Sequence, residues 1–170
     1  SMLYPMSILK GARASATFTG ITFAAEGQYL DTGAQMIHAA PDTTSTVNAR
    51  SIVKDGGQAY YRGLLKATEN ADRSKATVAC ESLMLDNESK SDTLPIMKLQ
   101  TDDLDIGHEA KVGRISEEAI YYLMSRGIDE DEAKAMIVRG FVEPIASELP
   151  LEYAVELNNL INLELEGTIG

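Results

Sequence analysis

Cysteine is nearly absent from this sequence: the 170 residues contain one cysteine, two histidines and no tryptophan. One cysteine permits no internal disulfide, which agrees with a reducing compartment. It also excludes a conventional cluster held by four cysteines of this chain.

Long apolar runs and positive charge are also scarce. No stretch approaches 18 consecutive apolar residues, and the N-terminal SMLYPMSILKG lacks the order of a signal peptide. The formal net charge of -11 disfavours binding to nucleic acid or an anionic membrane. We therefore predict a cytoplasmic protein with small-molecule or protein partners. The letters SM resemble a cloning remnant ahead of an abrupt strand, so we expect part of a longer protein.

Common catalytic signatures are missing too. The sequence has no phosphate-binding loop of the Gly-x-x-x-x-Gly-Lys type, no Gly-x-Gly-x-x-Gly after a strand, no Gly-x-Ser-x-Gly elbow and no Cys-x-x-Cys pair. Nucleotide hydrolysis by this chain alone is not expected.

Positions 8 to 112 are dominated by short β-type runs separated by corners such as AEGQ, KDGGQ and LDNESKSDT. In SATFTGITF, Ala16 and Phe18 fall on one face and Thr17 and Thr19 on the other. A weak repeat of about 30 residues places Gly33 on Gly63, Ser51 on Ser82 and Asp55 on Asp86. On these residues alone, a parallel β-solenoid and a β-sandwich both remain open.

Beyond position 113 the pattern becomes helical. Caps and stops predict three helices with acidic outer faces, bounded by Ser116 and Gly127, by Asp129 and Gly140, and by Pro150 and Gly167. We expect a small helical domain that closes or decorates the β region.

Four side chains are candidates for chemistry: Cys80, His38, His108 and Glu109. A lone cysteine is commonly a small buried hydrophobe, His38 is expected to be structural or solvated, and His108 and Glu109 also suit an ordinary turn. However, Cys80 and Glu109 lie 29 positions apart, close to the repeat, so stacked coils would bring them to about 4.8 Å. A thiolate and a carboxylate beside an imidazole could share iron or receive a sulfur atom. A one-residue slip would turn one side chain to the opposite face.

Three segments carry a family resemblance: KGARASATFTGITFAAEGQYLDTGAQMIHAAPDTTS, GHEAKVGRIS, and SRGIDEDEAKAMIVRGFVEPIASELPLEYAVELNNLINLELEGTIG. Together they resemble the C-terminal core of the SufB/SufD family of iron–sulfur cluster assembly proteins, from about Lys10 to Gly170. The resemblance implies a mainly β fold: a right-handed parallel β-helix over residues 1–112, followed by a three-helix domain over residues 113–170.

The resemblance also implies a function. Such proteins are non-enzymatic scaffolds on which a transient iron–sulfur cluster forms at a subunit interface. Cys80, His108 and Glu109 match the SufB-type cluster residues, with Cys80 and Glu109 as the candidate metal ligands. The implied partners are a SufC-type ABC ATPase at the C-terminal helices, a SufD-type or second SufB-type subunit at the β-helix, and a cysteine desulfurase with its sulfur-transfer protein.

Two alternatives remain. A SufD-like structural adaptor for the ATPase would need the interface and the helices but no metal chemistry. A polysaccharide-binding or polysaccharide-cleaving β-helix is disfavoured, because this sequence has neither a tryptophan platform nor an export signal.

Overall fold

A computed structural model describes residues 1–166 and contains nine strands and three helices in that range. The strands are β1 (Met2–Leu3), β2 (Met6–Leu9), β3 (Ser15–Ala24), β4 (Tyr29–His38), β5 (Thr44–Val53), β6 (Gln58–Ala67), β7 (Ser74–Met84), β8 (Lys90–Leu99) and β9 (Leu104–Arg114). The helices are α1 (Glu117–Met124), α2 (Glu130–Ala146) and α3 (Leu151–Glu166).

All strand pairs are parallel, and the chain alternates between two sheets. The first sheet contains β1, β2, β4, β6 and β8, and the second contains β3, β5, β7 and β9. Each turn of the chain thus adds one strand to each sheet, giving a solenoid of about four turns. The predicted parallel β-helix with C-terminal helices is confirmed, and the β-sandwich alternative is wrong.

The spacing between stacked residues varies along the solenoid. It is 29 between Ser15 and Thr44 but 32 between Gln58 and Lys90. The predicted match of Ser51 with Ser82 is confirmed, and the Asp55 amide donates a hydrogen bond to Asp86. The match of Gly33 with Gly63 is wrong by one residue, because the structure pairs Gly33 with Arg62.

A polar network holds one corner of the solenoid around His38. Its Nδ1 lies 2.7 Å from Thr43 Oγ1, and its Nε2 lies 2.8 Å from Ser45 Oγ. The ring is fully buried, and burial lowers its pKa. Thr43 continues the network to Ser74 on the next coil, with 2.7 Å between the hydroxyl oxygens. His38 is therefore a structural residue, as one of the two interpretations predicted.

The helices begin where the sequence predicts. Ser116 and Asp129 cap α1 and α2 by accepting hydrogen bonds from Ala119 and Glu132 amides, and the Pro150 carbonyl accepts one from Ala154 in the first turn of α3. The β region runs to Arg114, two residues beyond the expected boundary at 112.

The predicted end of the second helix at Gly140 is wrong, because α2 continues to Ala146. Glycine costs roughly 1 kcal/mol within a helix, and tertiary packing on both sides of Gly140 outweighs that cost. Val138 and Val142 are both buried against the second sheet. The predicted stop at Gly167 lies outside the described residues.

The helices pack on the outer face of the second sheet. Val138, Val142 and Ile161 form one buried cluster with Ile52 of β5. Arg50 lies two residues before Ile52 on the same face of β5. Its guanidinium donates a hydrogen bond to the Phe141 carbonyl and lies 5.1 Å from the centre of the Phe141 ring. No helix within residues 1–166 is long and apolar enough to cross a membrane.

Candidate functional site at the end of the solenoid

Cys80 lies on the inner face of the second sheet. In β7, alternate residues point into the solenoid, so Val78 and Cys80 share the inner face as the sequence predicts. Cys80 is 2% exposed, and burial raises its pKa to about 11. The thiol is therefore protonated at neutral pH, and the thiolate needed for nucleophilic attack or metal binding forms only if the surroundings change.

The strand register separates Cys80 from Glu109. The structure pairs Cys80 with Ala110 and Ala79 with Glu109, a spacing of 30 and not 29. Since side chains alternate between faces, this single residue turns Glu109 to the outer face. The expected stacking of Cys80 on Glu109 is wrong, and in this geometry the two side chains do not face a common ion.

Glu109 forms an ion pair on the outer face instead. Its Oε1 lies 2.8 Å from Lys111 Nζ, and both side chains are exposed. The hydrogen bond to Glu109, and then its charge, raise the pKa of Lys111. An exposed pair of this kind contributes little to stability, so the carboxylate can exchange Lys111 for another cation at small cost.

His108 lies on the same face as Cys80. It pairs with Val78, which is the neighbour of Cys80 on the inner face of β7. His108, Cys80 and Tyr61 line one cavity. The cavity has a volume of about 20 Å³ and mainly apolar walls. His108 is nevertheless exposed, since β8 and β9 are the last strands of the two sheets in the described part of the chain.

Tyr61 belongs to this site although no motif singled it out. Its side chain is 5% exposed and lines the cavity beside Cys80. Burial raises the pKa of this phenol far above its usual value. The period-two pattern of QAYYRGLLKA places Tyr61 on the inner face with Ala59, so this signal could have identified it.

The described residues do not form a complete metal site. Within residues 1–166, no three His, Cys, Asp or Glu side chains lie close enough together to hold a metal ion. Cys80 and His108 supply one thiol and one imidazole, which are ligand types that iron accepts. A full coordination shell needs further ligands from sulfide, solvent or another chain.

The chain matches a known protein family over most of its length. A family model described as "SUF system FeS cluster assembly, SufBD core domain" matches residues 1–141. The chain belongs to this family.

Similar proteins carry the same family name. The chain is 50% identical to an iron–sulfur cluster assembly SufBD family protein of Staphylococcus saprophyticus and 49% identical to iron–sulfur cluster assembly protein SufB of Bacillus subtilis. It is 48% identical to a SufBD family protein of Mycobacterium tuberculosis. Each match covers the whole chain, but 37%, 37% and 20% of the respective relatives.

Proposed function

We propose that this chain is the core of a SufB-type scaffold subunit that builds a nascent iron–sulfur cluster at a subunit interface. The observation that carries the proposal is that Cys80 and His108 line the same cavity on the inner face of the last coil described. There, a ligand-forming thiol lies just beneath a surface that a second subunit can reach. The cluster is the product of the scaffold, and the chain itself is not an enzyme.

The small ligand set suits this role. One thiol and one imidazole bind iron incompletely, so a partner subunit, sulfide or solvent completes the coordination. A cluster held by so few groups of this chain can be released to an acceptor protein. Glu109 acts from the other face of β9, toward solvent or a partner, and does not share an ion with Cys80 in the isolated chain.

The proposed partners occupy different parts of the molecule. A SufD-type or second SufB-type subunit binds the exposed strands β8 and β9, while a SufC-type ATPase docks on the helical region. Exposed apolar residues on the helices support docking there: Tyr121, Tyr122, Leu151 and Tyr153 are each more than half exposed. A cysteine desulfurase and its transfer protein supply sulfur. A net charge of -11 supports a cytoplasmic protein that binds neither nucleic acid nor membranes.

A SufD-like structural adaptor is the second candidate. The burial of Cys80 favours it, because a thiol with a pKa of about 11 is inert unless the site opens. Both candidates predict ATPase binding, so binding does not distinguish them. Cluster formation does.

The test is cluster assembly in the intact protein, coexpressed with its ATPase and sulfur donor and purified without oxygen. We expect visible absorbance and a Mössbauer signal of a cluster in the wild type, and loss of both in Cys80→Ala and His108→Ala with the ATPase still bound. Lys75→Ala is the matched control, since it changes an exposed side chain on the outer face of β7, the strand that carries Cys80, and it should retain the cluster.

Two results would contradict the proposal. Full cluster assembly in Cys80→Ala would remove Cys80 from the site. Absence of a cluster from the wild type, with the ATPase bound, would favour the adaptor.

A further inference from the structure

The outer face of the first sheet carries a mainly apolar row of side chains. The strand register aligns Met6, Gln35, Leu64 and Ile96 across β2, β4, β6 and β8. Leu65, the next residue after Leu64, lies in the core, so this row faces outward. Adjacent strands lie about 4.8 Å apart, so the row is about 14 Å long.

Further apolar side chains widen the row. Ile8 and Ile37 are paired next to it on β2 and β4, and Leu94 lies two residues before Ile96 on β8. Met6, Ile8, Leu94 and Ile96 are between 39% and 53% exposed. Among residues 1–166, the helices pack on the second sheet and leave this face uncovered. A contiguous exposed apolar patch of this kind marks an interaction surface. We call it the outer stripe, and its members are Met6, Ile8, Ile37, Leu64, Leu94 and Ile96.

Basic side chains border the outer stripe. Lys66 and Lys98 are paired on β6 and β8, in line with the isoleucines of β2 and β4. Within residues 1–166, neither lysine forms an ion pair. Asp31 on the same face is buried and held by Arg62 at 3.0 Å. The exposed Asp92 lies six residues from Lys98 on β8, about 20 Å away. The border is therefore locally basic on a chain of net charge -11.

We propose that the outer stripe docks an acidic amphipathic helix of a partner protein. A helix rises 1.5 Å per residue, so about ten residues, or three turns, span the row. Apolar residues at positions i, i+4 and i+7 of such a helix contact the outer stripe. Carboxylates on one flank of the helix pair with Lys66 and Lys98. The inference does not depend on the cluster site, because the outer stripe faces away from the inner face that carries Cys80.

Other occupants fit these charges less well. A nucleic acid or an anionic membrane presents an extended negative surface, which the rest of this acidic chain repels. A neutral or basic helix would cover the apolar side chains but leave Lys66 and Lys98 without counter-charges. An acidic helix satisfies both the apolar and the basic part of the surface.

The test is peptide binding by the intact protein, followed by fluorescence anisotropy. The labelled probe has the sequence LEYAVELNNLINLELE, which forms the acidic helix α3 in this chain. A matched control peptide carries glutamine in place of its four glutamates.

Three protein variants are compared with the wild type. Lys66→Glu reverses a charge at the border, and Leu64→Thr replaces the apolar side chain at the centre of the row with another strand-forming residue. Lys75→Glu is the matched control, because it reverses the charge of an exposed lysine on the outer face of the second sheet.

We expect the wild type and Lys75→Glu to bind the acidic peptide equally. Lys66→Glu and Leu64→Thr should bind it several-fold more weakly, with unchanged circular dichroism. The wild type should also bind the glutamine peptide several-fold more weakly than the acidic peptide, and higher ionic strength should reduce that difference by screening. Lys66→Glu should lose the preference for the acidic peptide.

Four results would overturn the inference. One is equal binding of the acidic peptide by Lys66→Glu and the wild type, and another is a wild type that binds the two peptides equally. Binding by the 170-residue chain but not by the intact protein would show that another segment of the intact protein covers the outer stripe. Self-association of the wild type in sedimentation, lost in Lys66→Glu, would make this face a contact between copies of the chain.

Discussion

The docking of the helices on the second sheet can be tested at Ile52. This side chain is 0% exposed and lies on the outer face of β5, between the strand and residues Val138 and Val142 of α2. Ile52→Ala removes three buried carbons. The change leaves strand pairing intact and removes the contacts of this side chain with the helices, together with those to Phe23 and Leu83 on the neighbouring strands.

The expected cost follows from burial. Each buried carbon contributes about 0.8 kcal/mol through transfer from water, which gives about 2.4 kcal/mol for three. The cavity left between two rigid elements adds to this, so we expect a loss of about 3–4 kcal/mol in the free energy of unfolding. For a protein of this size, that loss corresponds to a decrease in melting temperature of roughly 6–16 °C.

The assay is urea unfolding of the 170-residue chain, followed by circular dichroism. Ile8→Ala is the control, because Ile8 is also an isoleucine on the outer face of a strand, but in the first sheet and 47% exposed. We expect a loss below about 1 kcal/mol there, since little burial is removed. Equal losses in the two variants would refute the packing of the helices on the second sheet.

Two further predictions concern the solenoid itself. Because burial lowers the pKa of His38, the unfolded chain takes up a proton below about pH 6.5 that the native state does not. The free energy of unfolding should therefore fall as the pH drops through that range, and it should depend less steeply on pH in His38→Gln. An equal pH dependence of the two proteins in urea unfolding would contradict this. Gly33→Ala should strongly destabilise the chain, since the added carbon would lie 1.9 Å from the Arg62 carbonyl oxygen. Gly107→Ala should be neutral, because the carbon added there would have no atom within 4 Å. Similar melting temperatures for the two glycine variants would contradict the register of β4 and β6.

The candidate site was only partly predictable. The sequence identified Cys80 and His108, and both lie at the same end of the solenoid. It misplaced Glu109 because the chain between β7 and β9 adds one more residue to the coil than the assumed spacing. Tyr61 carried no motif, and its place beside Cys80 depends on which strands stack, which a sequence does not display.

What the sequence by itself determined is local. Alternation along a strand assigned Ala16 and Phe18, and likewise Val78 and Cys80, to common faces, and Ser116 and Asp129 marked where helices begin. These features depend on neighbours within a few residues.

Tertiary structure alone decided which side chains meet between coils. Corner lengths vary, so the spacing between stacked residues ranges from 29 to 32 along the chain. A shift of one residue inverts every side chain relative to the next strand. The same packing carries α2 past Gly140, because burial against Ile52 outweighs the local preference of glycine to end a helix.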